Sequence, residues 1–215
     1  IAIAAGDNEI LNKIKAAISR LRITLPPSPA VAAAYVVNDA TRGVAHAPAN
    51  LPIIGATPVS AFTQEQLGQL NVDPTGGKSI NVIRNLIGRG THIYGARTMD
   101  GNSNEWRYVS VRRFFNMVEE SVKKATEAYV FEPNIATTWQ NVKTMVGNYL
   151  NLQWRDGALQ GAKPSEAYYV KVGLGETMDS NDVLAGLMRV QIGMSVNRPA
   201  EFIVLQFSHF MAGNA

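Results

Sequence analysis

The stretch 104–133 constrains the fold most, because its hydrophobic period changes part-way along. Its first part is rich in aromatic and β-branched residues, which favour a strand over 105–111. Beyond this point the apolar residues recur at helical spacing and predict a long amphipathic helix, ended at Pro133. Two pairs of opposite charge lie four residues apart on its polar face, namely Glu119–Lys123 and Glu120–Lys124. This pattern is typical of a packed scaffold and contains no catalytic group.

The remaining chain alternates between helical and strand-like patterns. Caps, glycines and prolines predict further helices over 8–22, 28–43, 64–70, 79–86, 134–157 and 180–185. Asp7 or Asn8 caps the first of them, Ser28 the second, and Asn134 or Thr137 the last long one. The predicted strands are 91–97, 105–111, 167–172, 187–196 and 201–210, with the first two joined as a hairpin through 99–104. We therefore expect an α+β fold, a mixed β-sheet flanked by long amphipathic helices.

Composition excludes several classes of protein. At 215 residues the chain suits one domain, or one domain with an appendage. It has no cysteine, so neither thiolate catalysis nor cysteine-ligated zinc is available. Its net charge of +3 is spread along the chain rather than clustered, which does not indicate a nucleic-acid partner. No apolar run approaches the roughly 20 residues that span a bilayer, so no stable membrane insertion is expected.

The motifs that would indicate enzymatic chemistry are incomplete. The run 76–79, GGKS, resembles the end of a phosphate-binding loop, but Val72 stands where that pattern requires glycine. The three histidines, His46, His92 and His209, have no metal-ligand spacing with one another or with a carboxylate. We therefore predict no catalytic, metal-binding or cofactor-binding residue, and expect that the protein is not an enzyme.

The last predicted strand, EFIVLQFSHF at 201–210, is apolar on both faces at the end of the chain. Such a strand is poorly suited to remain a free edge. The residues leave two arrangements open: it closes a sheet within its own subunit, or it adds to the sheet of another chain.

Six segments, in order, carry a family resemblance. They are SPAVAAAYVVNDATRGVAHAPAN (28–50), SINVIRNLIGRGTHIYGARTM (79–99), EWRYVSVRRFFNMVEESV (105–122), VFEPN (130–134), TWQNVKTMV with LQWRDGALQG (138–161) and RPAEFIVLQF (198–207). Together they resemble the C-terminal part of contractile tail sheath proteins, which occur in contractile phage tails, R-type pyocins and extracellular injection systems. The resemblance implies a structural subunit that polymerises helically around an inner tube and contracts to drive the tube through a target envelope.

The resemblance also implies partners, locations and interface residues. The partners are copies of the chain, the inner tube protein, and the baseplate and tail terminator proteins. Assembly would occur in the bacterial cytoplasm, and the product would be a phage tail or a released particle. The segment 198–215, here called the C-terminal arm, would pair with a neighbouring subunit through Glu201, Phe202, Ile203, Val204, Leu205, Gln206 and Phe207. Candidate tube-facing residues are Lys123, Lys124 and Asp182.

The resemblance further divides the chain into an N-terminal helix and linker (1–27), a core domain (28–197) and the C-terminal arm. Family members usually carry more chain before the segment at Ser28 than the 27 residues found here. This expectation leaves a truncated chain or a lost N-terminal part as alternatives. A monomeric binding module with the same fold is the competing functional hypothesis.

Overall fold

The computed structural model describes residues 8–21, 23–73, 75–202 and 204–206. The helices are α1 (Asn8–Arg20), α2 (Ser28–Arg42), α3 (Gln64–Asn71), α4 (Val109–Thr126), α5 (Ala136–Arg155), α6 (Pro164–Ala167) and α7 (Ser180–Leu184), with a 3₁₀ turn at Glu127–Tyr129. The strands are β1 (Leu51–Pro52), β2 (Val82–Leu86), β3 (Gly90–Tyr94), β4 (Tyr168–Lys171) and β5 (Gln191–Met194). The α+β expectation is confirmed.

The predicted strand 105–111 is wrong, because α4 already begins at Val109. Only one isolated bridge, between Arg97 and Tyr108, remains of the expected hairpin. The Ser103 hydroxyl accepts hydrogen bonds from the N–H groups of Glu105 and Trp106, which hold this segment in a turn. Of the apolar residues assigned to the strand, Val109 and Val111 instead lie in the first turn of α4, where Val111 is buried, so packing overrides their β propensity.

Helix α5 packs with α4 to form the centre of the core. Its buried face consists of Thr138, Val142, Val146 and Leu150. The predicted caps Asn134 and Thr137 are wrong, because Ile135 precedes the first turn and makes no side-chain cap. The Asn134 side chain instead accepts a hydrogen bond of 2.6 Å from the Trp139 indole. Gly157, at φ 78°, ends the helix as predicted, in the left-handed region that favours glycine.

The N-terminal half of the chain contributes less to this core. Helix α2 begins at Ser28, but Pro27 occupies the cap position and no side chain caps it, so the predicted Ser28 cap is wrong. Asn8 begins α1, whereas Asp7, the alternative cap, lies outside the described residues. Helix α3 matches its prediction, with a reciprocal capping box between Thr63 and Gln66.

The first sheet is antiparallel, in the order β1–β3–β2. Its strand β2 corrects the predicted helix 79–86, since Val82 pairs with Tyr94 and Leu86 with Gly90 across a tight turn. The Asn81 side chain bonds both the N–H and the C=O of Arg97, so the chain is extended before β2 begins. Pairing with β3 therefore outweighs the local helical pattern of 79–86.

The second sheet consists of β4 and β5, again antiparallel. The predicted strand 187–196 is therefore too long, and two small antiparallel sheets replace the expected mixed sheet. One face of this sheet packs on the core formed by α4 and α5. On the other face, the Tyr169 ring lies across Gly193, where no side chain would fit without displacing it.

The C-terminal arm forms no strand within the part that the structure describes. Glu201, Phe202, Val204, Leu205 and Gln206 have no regular secondary structure, so the predicted strand 201–210 is absent at these positions of the single chain. Ile203 and Phe207 lie outside the described residues. A strand needs a ladder partner, and the described chain presents none beside the arm.

Candidate assembly surfaces

An ion pair fixes the point where the C-terminal arm leaves the core. The Arg97 Nη2 atom lies 2.5 Å from Glu201 Oε2, and Arg97 Nε lies 3.0 Å from Glu201 Oε1. The Arg97 side chain is only 5% exposed and that of Glu201 is 19% exposed. The Tyr108 hydroxyl also donates to Glu201, at 3.4 Å. Hydrogen bonds to a buried charged group fix geometry more firmly than a fully exposed surface pair does.

The guanidinium of this pair stays charged. Hydrogen bonds to Glu201 raise the pKa of Arg97, against burial, which acts to lower it. The Tyr108 ring adds a cation–π contact, with its centroid 5.9 Å from the guanidinium carbon.

Three described apolar residues of the arm beyond Glu201 are exposed. The exposed fractions are 74% for Phe202, 90% for Val204 and 71% for Leu205. Three large apolar side chains within four residues form a contiguous exposed apolar segment, of the kind that marks an interaction site. The structure therefore brings Glu201 to the core and leaves the predicted interface residues Phe202, Val204 and Leu205 exposed.

The β4–β5 sheet has two strands, and no further described strand lies along either of them. Just beyond β5 the chain makes one isolated bridge, between Val196 and Leu159. Edge strands present unpaired N–H and C=O groups that an incoming strand can bond.

A groove of about 800 Å³ runs between this sheet and the start of α4. Its aromatic lining comes from Trp106, Phe115, Tyr168 and Tyr169. The Trp106 and Phe115 rings meet edge to face, with centroids 5.0 Å apart, so this wall is rigid. None of the described arm residues from Phe202 onward lines the groove.

Helix α1 presents a second uncovered apolar surface. Its Ile10, Ile14 and Ile18 recur on one face and are 47%, 39% and 60% exposed. In a globular protein such a face normally packs against another element.

The candidate tube-facing residues differ in whether their charged groups are already bonded within the chain. Lys123 and Lys124 are exposed on α4, and Lys124 lies 3.4 Å from Glu120. Asp182 is engaged within the chain: it completes a capping box with Asp179 and lies 2.9 Å from Arg189. Hydrogen bonding to Arg189, and then to the Asp179 backbone, lowers the pKa of Asp182.

The GGKS run and the histidines were rejected above as functional motifs, and the structure shows the surroundings of Gly76, Gly77 and His92. The loop containing Gly76 and Gly77 packs closely on the side chains of Asp73 and Asn102. His92 is buried, with Nδ1 3.1 Å from the Gly90 carbonyl oxygen, and His209 lies outside the described residues. No metal-binding cluster occurs among the described residues, and none of the described helices is long and apolar enough to cross a bilayer.

Comparison with known proteins identifies the fold. A family model described as the phage tail sheath C-terminal domain matches residues 102–208. A chain from the contracted PVC sheath complex, an extracellular contractile injection system, is 43% identical, with a TM-score of 0.82 over 87% of this chain and 52% of that chain. The chain belongs to the contractile tail sheath family. No curated protein sequence matches it.

Two structures of the anti-feeding prophage are similar to this sheath-family chain. A chain in its contracted helical sheath is 44% identical, with a TM-score of 0.78, covering 86% of this chain and 51% of that chain. A chain in its six-fold symmetrised baseplate structure is 44% identical, with a TM-score of 0.81, covering 88% and 51%. This chain therefore spans about half the length of the chains it matches.

The sequence alone did not identify Arg97 or Tyr108 as important. Arg97 bonds a residue 104 positions later, and no local pattern reports such a contact. The one available signal was an arginine within a predicted strand, where a buried charge requires a partner.

Proposed function

We propose that this chain is a structural subunit of a contractile tail sheath, which polymerises around an inner tube and contracts to drive the tube through a target envelope. The similarity to contracted-sheath chains, at 43–44% identity over 86–87% of this chain, carries the proposal. Sheath components have a structural role, so no enzymatic activity is expected. The monomeric binding module is not favoured by these relatives.

The C-terminal arm supports polymerisation by strand addition. Complete burial of a side chain such as Phe, Val or Leu contributes about 1.5–3 kcal/mol. Phe202, Val204 and Leu205 forgo this contribution in the isolated chain because all three are exposed. A neighbouring subunit that covered them would gain this burial together with main-chain hydrogen bonds.

The β4–β5 sheet is the acceptor that we propose for a neighbour's arm. No further described strand lies along β4 or β5, and the aromatic groove beside the sheet offers apolar contacts to alternate side chains of an added strand. If each subunit donates its arm to one neighbour and accepts an arm from another, the contact is heterologous. Repetition of such a contact gives a ring or an open helix rather than a closed dimer.

Further parts of the proposal follow the family. The domain division is 1–27, 28–197 and the C-terminal arm. The partners are the inner tube, the baseplate and the tail terminator, with assembly in the bacterial cytoplasm. For tube contact, Lys123 and Lys124 are better candidates than Asp182, because the Asp182 carboxylate already bonds Arg189 and the Asp179 N–H.

Negative-stain electron microscopy of the concentrated protein tests this function. The wild-type chain should form rings or tubes, and the triple variant Phe202→Ser, Val204→Ser, Leu205→Ser should remain monomeric. The matched control removes other exposed apolar side chains, Ile54→Ser and Ile87→Ser, which are 93% and 103% exposed. A wild-type chain that stays monomeric, or arm variants that assemble normally, would contradict the proposal.

A further inference from the structure

The root of the C-terminal arm is tied to the core at two points. The Asn197 N–H donates to the Ala158 carbonyl at 3.1 Å, and the Asn197 side chain donates to the Gly157 carbonyl. Four residues later, Glu201 is bonded to Arg97. The first tie is to the end of α5, and the second is to the segment between β3 and α4. The five residues 197–201 thus link two separate parts of the core.

Arg97 is held in place independently of Glu201. Its backbone N–H and C=O are both bonded by the Asn81 side chain, at 2.9 and 2.8 Å. Its Nη1 atom donates to the Gly101 carbonyl at 3.2 Å. The guanidinium is therefore pre-organised, and Glu201 binds to a site that already exists.

Departure of Glu201 would be costly. The guanidinium is buried, and Glu201 is the one carboxylate paired with it among the described residues. A buried charge that loses its partner destabilises the fold strongly. Among the described residues that follow, Phe202 and Val204 have no such tie and are exposed. In the described chain the last tie of the arm to the core is therefore at Glu201.

We propose that the Arg97–Glu201 pair is an anchor that sets the exit point of the C-terminal arm, so that only residues after Glu201 are exchanged between subunits. Arg97 acts as a positioning residue: it aims the arm at a neighbour without contacting that neighbour itself. The exchange between subunits rests on the proposed function, whereas the anchor is a property of the single chain.

The absence of cysteine makes a direct test available, since two introduced cysteines are the only thiols in the chain. We would place spin labels at Asn116→Cys, on the exposed face of α4, and at Phe202→Cys. Pulsed electron paramagnetic resonance then reports the distance distribution between the core and the arm. The anchor variants are Glu201→Ala and Glu201→Gln, and the charge-matched control is Glu119→Gln, an exposed residue of α4.

The parent and the control should each give one narrow distance peak. In Glu201→Ala the fraction of molecules outside that peak should rise about tenfold or more, because hydrogen bonds between charged groups contribute at least that factor. Glu201→Gln should show a smaller rise, since its amide oxygen still accepts hydrogen bonds. A narrow, unshifted peak in both variants would overturn the anchor. If Glu201→Ala fails to fold, the result for Glu201→Gln decides.

The microscopy of Glu201→Ala separates this proposal from the proposed function. Released arms should assemble poorly or irregularly under conditions in which the control forms rings or tubes. Normal assembly of Glu201→Ala despite a broadened distance peak would overturn the positioning role, while the sheath function would stand. A wild-type chain with a narrow peak but no assembly would contradict the sheath function and leave the anchor in place.

Discussion

The centre of the chain and its two ends use the same kind of apolar pattern with opposite outcomes. On α5, Val142 and Val146 are 0% and 1% exposed, whereas Ile14 and Ile18 on α1 are 39% and 60% exposed. Both helices place apolar residues at helical spacing. The difference is the neighbour: α5 packs on α4 and the β4–β5 sheet, and the isoleucines of α1 lack such cover in the single chain. Periodicity thus predicts which face is apolar and leaves open what covers it.

The largest expected effect is at the centre of the core. Leu150→Ala should lower the free energy of unfolding by about 3 kcal/mol or more, because Leu150 is fully buried and its truncation leaves a cavity. Urea denaturation followed by circular dichroism measures the change. A loss below about 1 kcal/mol would show that this region is less tightly packed than its burial indicates.

Two glycines, one inside α5 and one just beyond its end, should respond to alanine substitution in opposite directions. Gly157→Ala should destabilise by about 1 kcal/mol, because Gly157 has φ 78° and alanine is strained there. Gly147→Ala, inside α5 with nothing within 4 Å of the added carbon, should stabilise by up to about 1 kcal/mol. Thermal melts of both variants provide the test. Equal shifts in the same direction would contradict it.

The contact between α2 and α4 should depend on pH. Arg113 lies 2.5 Å from Asp39, and its hydrogen bonds lower the pKa of Asp39 below the ordinary value of 3.8. The resulting stabilisation is present above about pH 4 and is lost as the pH falls through the lowered pKa. Its size should be below about 1 kcal/mol, because the pair is partly exposed and screened by solvent.

Urea denaturation at pH 7 and at acid pH, in the parent and in Asp39→Asn, isolates this contribution. The stability difference between parent and variant should shrink as the solution is acidified below pH 4. A difference that stays constant would show that the pair does not contribute.

The smallest effect is expected on α1. Ile18→Ser should change the free energy of unfolding of the isolated chain by no more than about 0.5 kcal/mol, apart from helix propensity, since Ile18 is already 60% exposed. A loss of unfolding free energy as large as that of Leu150→Ala would mean that α1 is covered in solution. The apolar faces of α1 and α5 would then not differ in burial. The same denaturation assay suffices.

Much of the fold was predictable where a local signal agreed with the packing. The helical spacing in α4 and α5, the glycine at 157 and the strand around β4 were correctly interpreted. The segments 79–86 and 105–111 failed because their structure is decided by distant groups: Asn81 bonds Arg97, and Val109 bonds Ala96. The Arg97–Glu201 anchor lay beyond prediction for the same reason. The arm residues were recognised as apolar, but their pairing with a neighbour remains a prediction.

Strand β1 has a consequence for errors during assembly. It is only two residues long and ends at Pro52, which has no N–H to offer. Very short edges and prolines discourage incoming strands. An arm that paired with β1 would form too few main-chain hydrogen bonds to remain bound, and would dissociate. The short β1 edge would thus direct the proposed strand addition away from this side of the three-stranded sheet.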